Sequence, residues 1–316
     1  MVRFRLSPVT YRRIVVFALV ALGFIIVTGG AVRLTGSGLG CSDWPTCEDN
    51  RVVAPLEYHA MVEFVNRTIT GLVSIAVILA VAGSLLRRPR RRDLLWWSLG
   101  LVAGVLGQIV LGGLTVLFHL WPPLVMGHFL LSMVLVWNAV LLWDRASAGP
   151  GPPRSLVGAR LRSLGRWLVI AAAAVILSGT VVTGAGPHGG DEDVDRLPLA
   201  VEAVAQVHGV FVMGFLALVL VTVFVVRRDR APVVVQQRAT SLLFVVVLQG
   251  AVGYTQYFTG VPPLLAGLHI LGSVLVWVFT LRLHLGLVER PVLEEPVGVR
   301  PAPATTRARE PALVRD

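Results

Sequence analysis

The sequence predicts an all-α integral membrane protein whose eight transmembrane helices form two pseudo-symmetric four-helix bundles. Three observations carry this expectation. Of the 316 residues, 55% are hydrophobic and only 15% charged, with a mean hydropathy of +0.76, whereas a soluble domain carries about 25% charge. Eight apolar stretches are each long enough to cross ~30 Å of hydrocarbon at ~20 residues. Finally, Gln108, Gly112 and His128 reach Gln249, Gly253 and His269 by one constant shift of 141 positions. Three polar or glycine positions aligned across two helices mark a duplicated four-helix unit.

Taken in order, the stretches run over 14–32, 60–86, 94–117, 122–144, 167–185, 200–226, 239–259 and 262–284. The first is expected to be a retained helix and not a cleaved leader, because it continues through Gly29, Gly30 and Arg33 into a motif-rich loop. The predicted divisions are an N-terminal bundle (1–145), a Gly- and Pro-rich linker (146–166), a C-terminal bundle (167–288) and a disordered tail (289–316).

The net charge of +10 does not point to nucleic acid. All 28 basic residues are arginine, and they alternate loop by loop. Arg3, Arg5, Arg12 and Arg13 precede the first span; Arg87, Arg88 and Arg90 to Arg92 follow the second; Arg145, Arg154, Arg160, Arg162 and Arg166 follow the fourth. Arg227, Arg228, Arg230 and Arg238 follow the sixth, and Arg290 begins the group after the eighth. The opposite loops hold only Arg33, Arg51 and Arg196. Basic residues stay on the cytoplasmic side of a membrane, so both termini are expected there, in the plasma membrane of the cell. The acidic run Asp191, Glu192, Asp193 and Asp195 then lies outside.

Intramembrane ionisable residues are expensive to keep and point to function. In the second span His59, Glu63 and Asn66 share a face, with Arg67 one turn from Glu63. That spacing suits either an ion pair closing the helix end or a carboxylate whose desolvation prepares it for acid or base chemistry. His208 and His269 lie at similar depth near the outer ends of helices running in the same direction. Two facing imidazoles in a bundle can ligate one haem iron from opposite sides; two separate histidines hydrogen-bonded across helices is the alternative. His119 and His284 fall at helix ends, and His188 in an outer turn.

The two cysteines, Cys41 and Cys47, share the first outer loop. An oxidising exterior permits a disulfide there, either as a structural staple or as a redox-active pair. No further cysteine or close histidine pair completes a zinc site.

The run from Gly29-Gly30 through Arg33 to Cys41, Trp44 and Cys47, the Glu63 to Arg67 segment, the Gly186-Pro-His188-Gly-Gly-Asp191 turn and the spaced His128, His208 and His269 together resemble the haem A synthase family over roughly residues 14–284. The resemblance implies oxidation of the C8 methyl of haem O to the formyl group of haem A, for a terminal cytochrome oxidase, with haem b bound in the C-terminal half. It assigns His208 and His269 as axial ligands of haem b, Glu63 as the catalytic carboxylate, and His128 as a ligand of the substrate iron, with Asn66 and Arg67 in the substrate site. The family's fourth histidine should stand three residues after the glutamate, where this chain has Asn66. Either His128 alone then holds the substrate iron, leaving its other face open, or His59 substitutes. His59 lies ~10 Å along the helix axis from Asn66 at 1.5 Å per residue, which favours the open site.

Other readings are a di-haem b-type carrier passing electrons from a quinol, and a repeat-built transporter. The partners expected are haem O, membrane lipid, a haem O synthase and an electron acceptor, with no nucleic acid and with the homo-oligomeric state left open.

Overall fold

The structure, a computed structural model, describes residues 5–48 and 51–291. Its helices are α1 (Pro8–Leu34), α2 (Tyr58–Leu86), α3 (Arg92–Leu117), α4 (Pro122–Ser147), α5 (Ala159–Ala185), α6 (Val201–Arg228), α7 (Val233–Phe258) and α8 (Pro263–Leu285). All eight are long and apolar enough to span a membrane, and the chain is an all-α eight-span membrane protein.

Most helices extend past the apolar windows, because arginine and other polar flanks continue a helix into water at little cost. The start of α5 at Ala159, with Arg160, Arg162 and Arg166 in its first turns, shortens the expected 146–166 linker to 148–158. Ser7 caps α1 by accepting from the Thr10 N–H. Prolines open α1, α4 and α8, where a missing N–H costs nothing.

One expectation needs correction at its near end. Residues 289–291, placed at the head of a disordered tail, are hydrogen-bonded to the linker. Strand β1 (Arg154–Ser155) pairs antiparallel with β2 (Val288–Glu289), Arg154 opposite Glu289, and Gly149 and Gly151 donate to the Arg290 and Pro291 carbonyls. Backbone groups that reach a facing chain are better satisfied there than left unpaired. The remainder of the expected tail, residues 292–316, lies outside the described residues.

The helices form two four-membered rings. In the first, α1 packs on α2, α2 on α3, α3 on α4 and α4 back on α1; α5 to α8 repeat the circuit, and α1 and α4 meet α8 and α5 between the rings. The Trp277 indole donates to the Met133 carbonyl across that seam, 2.9 Å, in a buried contact. The repeat extends to turn geometry: His119 and Leu120, after α3, hold φ of 50° and 56°, and Gly260 and Val261, after α7, hold 77° and 57°. In each turn the sixth residue donates back to the first, Leu120 to Thr115 and Val261 to Gln256, the closure that satisfies the last carbonyls of a helix.

Packing is uneven along the membrane normal. Buried core side chains concentrate in the halves nearer the chain termini, such as Val15, Leu101, Val136 and Leu142 in the first bundle and Leu168, Val219, Leu242 and Leu281 in the second. The opposite halves of α6 and α8 contribute no residue to this core before Phe215 and Val274. The bundles are therefore tight at the end that bears the chain termini and looser at the other end, where the candidate site residues lie.

Candidate functional site

In the C-terminal bundle, α6 and α8 bring His208 and His269 face to face, with ring centres 6.5 Å apart and planes at 77°. An imidazole nitrogen sits about 2 Å from a bound metal, with its ring centre roughly 1 Å further back, so two rings on opposite sides of one iron have centres a little over 6 Å apart. The observed spacing fits a single iron between them.

The back edge of each ring is held. His208 Nδ1 lies 3.0 Å from the Ser178 hydroxyl on α5, and His269 Nδ1 lies 3.0 Å from the side-chain amide of Gln249 on α7, which also donates to the His269 carbonyl at 2.9 Å. Such partners orient the rings. The Ser178 hydroxyl, which donates to the Val175 carbonyl, can accept from a protonated His208 Nδ1, the tautomer that leaves Nε2 for a metal, whereas the Gln249 amide nitrogen is a donor and fixes the orientation of the His269 ring without selecting that tautomer. Each ring also rests on a glycine of the neighbouring helix. A Cβ on Gly179 would stand 3.1 Å from His208 Cε1, and one on Gly253 would stand 3.0 Å from His269 Cε1. These glycines make room for the rings.

The N-terminal bundle repeats the arrangement at one position of two. His128 on α4 sits against Gly112, whose added Cβ would stand 3.1 Å from Cε1, and Gln108 donates to the His128 carbonyl at 3.1 Å and to Ser132 at 2.9 Å. His128 Nδ1 and Gln108 Oε1 are both buried without a hydrogen-bond partner. At the other position Asn66 Oδ1 accepts from the Thr28 hydroxyl, 2.9 Å. His59 is held elsewhere, its Nδ1 2.9 Å from the Ser37 hydroxyl in the outer loop, and is not brought to Asn66.

Glu63 and Arg67 form an ion pair, 2.6 Å, one of the two arrangements their spacing suits, and they also hold the cysteine loop. Glu63, only 5% exposed, accepts from Arg67 on Oε1 and from the Cys41 N–H on Oε2 at 2.8 Å. Arg67 donates to the Cys41, Asp43 and Thr46 carbonyls and lies under the Trp44 ring, 5.2 Å from its centre, a cation–π contact. Its guanidinium is thus engaged on all sides by the loop and Glu63. The loop is closed by a Cys41–Cys47 disulfide. Its backbone passes so close to α2 that a Cβ on Gly40 would collide with the His59 carbonyl.

On the outer surface between the bundles, Arg33 donates to the Thr183 carbonyl at 2.6 Å, and His188, at φ 62°, is hydrogen-bonded to the Val261 carbonyl. Thr28, Ser178 and Gly179 were not among the residues singled out from the sequence, and Gly29 entered only as part of the motif that begins at the end of the first span. A shift of 150 positions carries Thr28-Gly29 onto Ser178-Gly179 and was the signal available for them.

Fold and site together define a polytopic helical membrane protein of tandem four-helix bundles, with two histidines facing one another in one bundle, ring centres 6.5 Å apart. The family model described as cytochrome oxidase assembly protein, COX15-CtaA, matches residues 12–187, and the chain belongs to that family. Similar relatives named heme A synthase include one from Exiguobacterium sibiricum, 26% identical over 54% of this chain and 58% of its own length. Another, from Exiguobacterium sp., is 22% identical over 75% and 80%, and one from Caulobacter vibrioides is 26% identical over 86% and 94%. The chain thus spans less than two thirds of the first of these and most of the other two.

Proposed function

We propose that this chain is a haem A synthase, an enzyme of haem A biosynthesis that oxidises the C8 methyl of haem O to a formyl group. The observation that carries the reading is the 6.5 Å separation of the His208 and His269 rings, each braced behind and seated on a glycine. It is supported by membership of the cytochrome oxidase assembly family and by the relatives named heme A synthase.

In this reading His208 and His269 would hold haem b in the C-terminal bundle, with Ser178 accepting from His208 Nδ1 and Gln249 orienting the His269 ring. Bound there, haem b supplies one-electron redox chemistry. His128 holds the iron of haem O in the N-terminal bundle. Glu63, a buried carboxylate near the outer end of α2, takes up a proton or orients water as the methyl group is oxidised. Arg67 keeps that carboxylate in place and ties it to the disulfide loop. The site lies in the outer half of the plasma membrane, with both chain ends cytoplasmic in keeping with the arginine pattern. A haem O synthase and an electron acceptor are the partners this chemistry requires.

A di-haem electron carrier would need two complete ligand pairs, and Asn66 stands where the fourth imidazole belongs. Extracting the pigments of the purified protein and weighing them tests the assignment. Haem b accompanied by haem O or haem A is the expected result. A colourless, correctly assembled protein overturns it.

A further inference from the structure

Four positions face the bundle interiors where imidazoles are found or expected, and each has a glycine assigned to it by the repeat. His128 fills the space over Gly112, His208 that over Gly179 and His269 that over Gly253, each with its Cε1 within 3.0–3.1 Å of where a glycine Cβ would be. The fourth glycine is Gly29, which corresponds to Gly179 as Asn66 corresponds to His208. A Cβ on Gly29 would meet nothing within 4 Å. The shorter Asn66 side chain turns instead to Thr28, the counterpart of Ser178, and its amide nitrogen has no acceptor among the described residues. A cavity of about 480 Å³ between α1 and α2 reaches both Thr28 and Asn66, bordered by Ala31, Met61, Val65 and Ile69, so the Asn66 side of this space is open to the exterior of the bundle.

We infer that the space between Gly29 and Asn66 is a binding site for a small exogenous ligand of the substrate iron, an uncharged molecule of diatomic to imidazole size. The inference rests on the proposed function in taking His128 as the ligand on the opposite face. The seat for a fourth ring is kept while the ring itself is missing, so the iron has one face closed by protein and one face open. Asn66 offers an amide N–H beside that face, a hydrogen-bond donor for the outer atom of the bound molecule. Within the membrane, such a donor is most valuable to a ligand that carries no competing water.

The test uses the full-length protein in detergent or nanodiscs, titrated with haem to two equivalents, and needs no turnover. Half of the bound haem is expected to be low-spin and inert to carbon monoxide, and half high-spin and able to bind carbon monoxide when reduced. Added imidazole should convert the high-spin half to low-spin. In Asn66→His the new ring should occupy the Gly29 seat, and the carbon monoxide signal should be lost; in Asn66→Ala it should persist. Failure to take up a second equivalent, two low-spin haems in the unmodified protein, or carbon monoxide binding unchanged in a well-assembled Asn66→His protein overturns the inference. Loss of the first low-spin haem would instead count against the ligand pair in the C-terminal bundle.

Discussion

His208 and His269 face one another across the C-terminal bundle with ring centres 6.5 Å apart, a distance that one iron atom spans. Replacing either with methionine should shift the low-spin haem spectrum, since the axial ligands set its electronic character. Electron paramagnetic resonance on the purified variants checks this. An unchanged low-spin signal in either variant would exclude that residue as a ligand.

Gly179 and Gly253 separate ring seating from ring chemistry. Gly179→Val leaves both histidines in place but puts methyl groups where the His208 ring lies, so haem b content should fall while the protein still accumulates in the membrane. Pigment-to-protein ratio is the measurement. Full haem occupancy in Gly179→Val would show that the glycine seat is unimportant.

Glu63→Gln keeps the shape of the side chain and removes its charge. Haem b should be retained and haem A formation abolished, as read by pyridine haemochrome and mass analysis. Normal turnover would take Glu63 out of the chemistry.

Glu63→Ala has a different consequence, because it leaves the partly buried Arg67 without its carboxylate. Stranding one partner of a buried ion pair costs about 3 kcal/mol or more, and the Cys41 N–H also loses its acceptor. The thermal midpoint should drop well below that of Glu63→Gln. Equal midpoints for the two variants would mean that the loop does not depend on this pair.

The disulfide joins residues only six apart, so in the chain-entropy view its removal should cost about 2 kcal/mol. Arg67 bonds to three loop carbonyls without it, so Cys41→Ser/Cys47→Ser protein should keep the loop and lose only modest thermal stability. On intact cells carrying that double variant, a membrane-impermeant thiol reagent should label a cysteine introduced by Leu56→Cys, an exposed position between the buried Cys41–Cys47 loop and α2. Absence of labelling there, with labelling in opened cells, would reverse the assigned orientation.

Much of this was legible in the chain before folding. Span number follows from length and hydropathy, because a helix in hydrocarbon must satisfy its own backbone and be apolar throughout. The duplication was visible in Gln108, Gly112 and His128 recurring 141 positions on, and the Glu63 to Arg67 pairing in their spacing of four on one helix. Helix ends were less legible, as α5 shows by starting within the expected linker: polar flanks carry little periodic signal.

The sequence by itself determined which polar and titratable residues fall within the spans, which helix bears each, and how far each lies from its helix end, since these are properties of one chain segment. Only the tertiary structure decided what each meets on its neighbours: that Ser178 and Gln249 stand behind the two rings, that Arg67 is engaged by loop carbonyls, that His59 is held by Ser37, and that Gly29 faces space where Gly179 faces a ring. Those outcomes depend on the rotation and separation of adjacent helices. Side-chain packing across the interface sets both, and no single helix encodes them.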